Sequence, residues 1–219
     1  MKIAILGYGK MGQEIEKIAL QKGHEIILKT NSQNPAETAD FSEVEVAIDF
    51  STPNTAFSNI SSALTQSIPV ISGTTAWIEK KTEAEQLAIK NNTAFLYASN
   101  FSIGVNLFFE LNKKLAQLMS NHEQYKASIQ EIHHIHKLDA PSGTAISLTE
   151  YMEGNIHIES ERTGEVHGTH IVTYQSVVDS IEIKHEAHNR EGFALGAVLA
   201  AEWIKDKKGV FSISDMLNL

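Results

Sequence analysis

A two-domain α/β fold whose first domain is a doubly wound parallel sheet is predicted by three observations. Short apolar, β-branched runs alternate with helical stretches over residues 1–102, the pattern of right-handed βαβ crossovers. A glycine-rich loop, "GYGKMG" at 7–12, follows the first of those runs directly. Beyond residue 102 strand patterns follow one another, which reads as an α+β domain with a mixed or antiparallel sheet.

Taken in order, "KIAIL" (2–6) is a buried strand, and "MGQEIEKIALQKG" then switches to helical spacing with Ile15, Ile18 and Ala19 on one face and Gly23 at the end. "HEIILKT" and "VEVAIDF" (44–50) are the second and third strands; Pro53 sits where the next helix would begin. "IPVISGTT" is a fourth strand, "EKKTEAEQLAIKNN" a helix and "TAFLYASNF" (93–101) a fifth strand. The second half opens with a long amphipathic helix at 104–119 and a strand, "YKASIQEIHH". A helix, "AISLTEYM", two alternating strands, "THIVTYQS" and "DSIEIKHEA", and a last helix at 193–207 follow.

Of the 219 residues, 42% are hydrophobic and 21% charged, an ordinary balance for a globular protein. A net charge of -9 speaks against general binding to nucleic acid or anionic membranes. No cysteine is present, so disulfides, a thiol nucleophile and thiolate zinc sites are excluded. No apolar run reaches membrane-spanning length and the N-terminus lacks a signal-peptide pattern, so a cytoplasmic protein is expected.

Gly7, Gly9 and Gly12 fit G-x-G-x-x-G in the strand–turn–helix context that a dinucleotide pyrophosphate needs. The free N–H groups of the helix start would hold the phosphates. The second strand ends "LKTNS", without the acid that grips a ribose 2′-OH. Lys29 and Lys10 could face a 2′-phosphate instead, which points to NADPH or dual use. Later strand ends, "DFSTP" with Phe50, "SGTT" and "ASNF", would line the same crevice.

"EIHHIHKLDAPSGTA" (131–145) concentrates His133, His134, His136 and Lys137 ahead of a Pro-Ser-Gly-Thr turn. A metal is not expected, because consecutive strand residues point to opposite faces and no cysteine is available. Ser142 is a plausible N-cap, and the N–H groups of Gly143 and Thr144 could cradle a carboxylate beside the charge of Lys137. A histidine at the rim can donate a proton near neutral pH.

These residues resemble the signature of the dihydrodipicolinate reductase family, and "IDFSTP", "GTT", "NFSIGVN", "ERTGEVHGTH", "HNREGFALGA" and "GVFSISDML" extend the likeness along nearly the whole chain. The resemblance implies an N-terminal Rossmann-type NAD(P)-binding domain, residues 1–102 and 193–219, and an α+β substrate and oligomerisation domain with a mixed sheet, residues 103–192. It implies NADPH and/or NADH as cofactor, a cyclic dicarboxylate substrate, a homotetramer and a step of diaminopimelate and lysine biosynthesis. Carried onto this chain, His133 is the general acid/base and Lys137 the second acid candidate or charge stabiliser. His134, Ser142, Gly143 and Thr144 clamp the substrate carboxylate. Gly7, Tyr8, Gly9, Lys10, Met11, Gly12, Lys29, Phe50, Gly73, Thr74, Thr75, Ala98, Ser99, Asn100 and Phe101 contact the cofactor. The chain departs from the family in a glycine loop one residue shorter and in a shortened stretch between Tyr151 and Arg162. A related amino-acid dehydrogenase and a non-catalytic NAD(P)H sensor are the competing readings.

Overall fold

The computed structural model describes residues 1–219, and the chain divides into two compact units. One comprises Met1–Ile103 and Glu191–Leu219, the other Gly104–Arg190.

The first unit holds a six-stranded, all-parallel sheet of β1 (Lys2–Leu6), β2 (Glu25–Thr30), β3 (Val46–Asp49), β4 (Val70–Ser72), β5 (Ala94–Tyr97) and β10 (Gly209–Phe211). Their spatial order is β10-β5-β4-β3-β1-β2. The period of two along each strand sends alternate side chains to two separate cores. Ile3, Ile5, Val46, Ile48, Ile71 and Leu96 face one layer, built from α1 (Lys10–Gln21) and α6 (Glu191–Ile204). Ala4, Leu6, Ala47, Val70 and Phe95 face the other, built from α2 (Pro53–Leu64) and α3 (Lys81–Lys90). Burial on both faces explains why these strands read as continuous apolar runs. Pro53 opens α2 as expected, with Thr52 and Thr55 forming its capping box.

The second unit carries a four-stranded mixed sheet of order β7-β6-β8-β9, formed by β6 (Lys126–His133), β7 (His157–Arg162), β8 (Thr169–Gln175) and β9 (Ser180–Glu186). β6 is parallel to β7 and antiparallel to β8. The helices α4 (Ile103–Met119) and α5 (Gly143–Thr149) supply Phe108, Ala116, Ala145 and Leu148 to a core with Ile129, Val172 and Tyr174. Strands β7 and β10 and the short helix α7 (Ile213–Leu217) were not read from the sequence.

Candidate active site

In the first unit, the glycine loop stands at the carboxyl end of β1, next to β3, where the strand order reverses. Gly7 has φ +96°, and a Cβ there would lie 2.5 Å from the Phe50 carbonyl oxygen, so no other residue fits. A Cβ on Gly12 would come within 2.6 Å of the Gly7 oxygen, which is the close helix–strand packing the motif requires. At Gly9 a Cβ would meet no protein atom within 4 Å. The residue lines a cavity of about 590 Å³ together with Gly7, Tyr8, Thr30, Asn31 and Phe50.

No side chain caps α1 and no acid sits in its first turn, so the positive end of that helix is free to meet phosphate. An adjoining hollow of about 190 Å³ is lined by Met11, Phe50, Gly73, Thr74 and Thr75. These features fit a bound dinucleotide. Asp49 holds this end of the sheet together. Its fully buried carboxylate accepts hydrogen bonds from Ser51 Oγ (2.7 Å), Ser72 Oγ (2.8 Å) and Thr74 Oγ1 (2.7 Å). Burial pushes its pKa up, against the pull of those hydroxyls.

Other expected cofactor residues are placed differently. Lys29 Nζ lies 2.5 Å from Glu16 Oε1 and 4.5 Å from the centre of the Tyr8 ring, whose hydroxyl also meets Glu16. Its charge is therefore compensated within the protein. Lys10 is exposed. Phe101 is buried, 5.7 Å from the Phe50 ring centre, and Ala98 is buried at the end of β5, whereas Ser99 is exposed and Asn100 half-buried. Neither cavity wall includes Ala98 to Phe101. The cavity does contain a carboxylate, Glu37, which the sequence reading missed because it lies beyond the usual strand-end position.

In the second unit, β6 delivers Glu131 and His133 to one face, two residues apart. The β6–β8 register sets His170 directly opposite Glu131. Glu131 is wholly buried; its Oε1 accepts from Arg162 Nη2 at 2.8 Å and from the Ser142 N–H at 3.3 Å, and its Oε2 is in direct contact with His133 Nδ1. Burial raises the pKa of Glu131, but Arg162, Ser160, His133 and Ser142 outweigh it and hold the carboxyl below its usual range. For His133, burial and the Lys137 charge lower the pKa while Glu131 raises it, and the net direction is down. His170 stacks edge-on to His133 at 5.1 Å, and burial with the His133 charge brings its pKa down to about 4.

The donor atoms of Glu131, His133 and His170 lie within 4.8 Å of one another. Arg162 already neutralises the carboxylate, and the Lys137 charge bears on both imidazoles, so the surroundings repel a further cation. His134 and His136 do not join this group; their rings lie 6.1 Å apart, and His136 is exposed near Glu165.

Ser142 caps α5 as expected, accepting from the Ala145 N–H at 3.2 Å, and also meets His170 Nε2 at 3.2 Å. The Ser142 amide is therefore spent on Glu131. Gly143 is exposed and Thr144 half-buried. A separate cavity of about 490 Å³, at the start of β6 beside Lys126, Ala127 and Gly154, contains none of the expected site residues.

Comparison with known proteins matches both halves of the chain to the same enzyme. Residues 1–101 match the family "dihydrodipicolinate reductase, N-terminus", and residues 104–217 match "dihydrodipicolinate reductase, C-terminus". A 4-hydroxy-tetrahydrodipicolinate reductase of Christiangramia forsetii is 47% identical, covering 100% of this chain and 98% of its own. One from Thermosipho africanus is 37% identical with the same coverage. In fold, the chain matches a dipicolinate-bound dihydrodipicolinate reductase from Paenisporosarcina sp. TG-14 with a TM-score of 0.77 over 97% of both chains, at 21% identity. The match of both halves and the full-length relatives settle the lineage: this chain belongs to the dihydrodipicolinate reductase family.

Proposed function

We infer that this chain catalyses the NAD(P)H-dependent reduction of 4-hydroxy-tetrahydrodipicolinate, with loss of water, to tetrahydrodipicolinate on the route to diaminopimelate and lysine. The observation that carries this reading is the full-length match to reductases of that name. The pyridine dicarboxylate bound to the Paenisporosarcina protein is in keeping with a small cyclic dicarboxylate as substrate.

The first unit, with Gly7 to Gly12, Phe50 and Gly73 to Thr75, is the dinucleotide-binding part, and the second is the substrate-binding part. The nicotinamide, when bound, supplies the hydride. Residues of the second unit do the remaining work. Lys137 attracts a substrate carboxylate by charge, and His134, Gly143 and Thr144 complete its clamp. Ser142 acts by fixing the turn, since its own amide and hydroxyl are engaged. His133 is the general acid that protonates the reduced ring through Nε2, the nitrogen not in contact with Glu131. Loss of Lys29's free charge to Glu16 leaves both cofactors acceptable, with NADPH binding requiring that ion pair to open.

A homotetramer formed through the mixed sheets is the assembly we propose. It is supported by the half-exposed Ile132 and Ile171 on the sheet face away from the helices and by the unpaired edge of β9. No helix is long and apolar enough to cross a membrane, and a cytoplasmic setting suits the cofactor.

Turnover of the purified protein with chemically generated substrate tests the reading. His133→Ala and Lys137→Ala should each lower kcat at least about a hundredfold, the size of a general acid–base contribution, while NADPH binding persists. Wild-type rates in both variants would defeat the assignment. Titration with 2,6-pyridinedicarboxylate separates it from a nucleotide sensor, which would not bind that compound.

A further inference from the structure

We propose that Glu131 is the positioning residue of the reaction: its buried carboxylate fixes the ring of His133 with the proton on Nδ1, so that Nε2 is the nitrogen that exchanges a proton with substrate. The inference rests on His133 being the acid/base assigned above.

Four observations lead to it. Glu131 is completely buried, yet its carboxyl is held below its usual pKa by its neighbours, and a buried carboxylate is retained only when several donors hold it. Those donors are directional. Arg162 Nη2 and the Ser142 amide both approach Oε1, while Oε2 lies in contact with His133 Nδ1. Both donors are themselves anchored, Arg162 also donating to the Asp139 carbonyl and Ser142 capping α5. Finally, Gly168 sits at φ +143° against the far edge of the ring, where a Cβ would lie 3.0 Å from His133 Nε2. The ring is thus held by a carboxylate on one nitrogen and given room by a missing side chain at the other.

The electrostatic consequence concerns every charged or titratable group around the ring. Lys137 and Arg162 both disfavour the imidazolium, as does burial; His170 stays neutral beside it. Glu131 is the one group among them that favours it. The His133 pKa is already lowered with Glu131 in place, and removing that counter-charge would lower it further. A carboxylate on the distal nitrogen also selects the tautomer, as in hydrolase triads.

Glu131→Gln makes the proposal testable, because the amide can sit only one way. Arg162 and the Ser142 N–H are both donors, so the amide oxygen must face them and the NH2 group must face His133. His133 Nδ1 then becomes an acceptor and the neutral ring carries its proton on Nε2. Nitrogen-15 spectra of the histidine rings should show His133 as the Nδ1–H tautomer in the wild type and as the Nε2–H tautomer in E131Q. The basic limb of the kcat/KM profile should move to lower pH in E131Q, and kcat should fall about a hundredfold, with the NADPH Kd unchanged. Glu131→Asp, which keeps the charge at a longer distance, should restore the limb in part.

An unmoved limb in a folded E131Q, or an Nε2–H tautomer in the wild-type protein above the histidine pKa, overturns the proposal; the second needs no variant. A purely structural role would lower the melting temperature while leaving both readouts in place. Wild-type turnover of H133A would instead remove the acid/base assignment itself, and this inference with it.

Discussion

The ammonium of Lys137 lies 2.8 Å from one carboxylate oxygen of Asp139 and 2.9 Å from the other. The cation expected to meet a substrate carboxylate therefore already holds one from its own loop. The Asp139 carboxyl is kept below its usual pKa by Lys137 first, with a smaller contribution from the Gly143 N–H. Two of the groups assigned to the clamp thus converge on an internal anion.

Asp139→Asn should consequently tighten binding of 2,6-pyridinedicarboxylate. The gain should be at most about fivefold, because exposed ion pairs are worth up to ~1 kcal/mol. Calorimetric titration of both proteins checks this; weaker binding by D139N would mean that Asp139 helps to build the clamp instead of competing for it.

Cofactor choice should respond to two acids that the sequence reading did not weigh. Glu16 holds Lys29, and Glu37 lines the nucleotide cavity. Glu16→Gln should free Lys29 and favour NADPH, whereas Glu37→Gln should remove a repulsion toward a 2′-phosphate and weaken any grip on a ribose hydroxyl. Both variants should raise the NADPH-to-NADH affinity ratio, by several-fold for a single charge at close range. Fluorescence titration with each cofactor measures it, and unchanged ratios would remove both acids from recognition.

Acid stability should depend on His170. Its folded pKa of about 4 lies below the ordinary 6.5, so the unfolded chain binds the extra proton first. Stability is then fully present above pH 6.5 and is lost as pH falls toward 4, by about 3 kcal/mol for this group alone. Asp49, with its raised pKa, works in the opposite sense. Denaturant midpoints at pH 7 and pH 5 should diverge more in the wild type than in His170→Gln; equal pH dependence would show that the ring titrates as it does in the unfolded chain.

Gly196 lets α6 come close to the backbone of its own unit: a Cβ would lie 1.7 Å from the Phe101 carbonyl oxygen. A backbone atom cannot swing away as a side chain can. Gly196→Ala should cost about 3 kcal/mol, the upper end of ordinary overpacking, and lower Tm by roughly 6–12 °C for a chain of this size. A melting curve within about 2 °C of the wild type, half the shift of one kilocalorie at most, would contradict the packing.

Local chemistry was legible in the sequence where neighbours along the chain decide it. The glycine loop, Pro53 at the start of α2 and the Ser142 cap each depend on a few consecutive residues. The doubly wound sheet was legible too, since burial on both faces leaves an apolar run. What escaped was set by register and distance. Glu131 and His170 are brought together by a strand pairing that spans 39 positions of sequence, and nothing near either residue announces it. Strand β7 alternates half-buried and exposed residues in "HIESER", a pattern present but weak beside its charge. β10 has only three residues, too few to carry a period. The pairing of Lys29 with Glu16 joins β2 to α1 and depends on how that helix is rotated against its strand.

The first unit is written in two separate pieces of the gene product. Helix α6 covers the sheet face bearing Ile3, Ile5, Ile48 and Leu96, and β10 pairs with β5, yet both come after residue 190. During translation, residues 104–190 emerge complete and can fold while the earlier sheet still shows an uncovered oily surface. Ribosome-bound chains halted before α6 therefore have only α1 to shield that face.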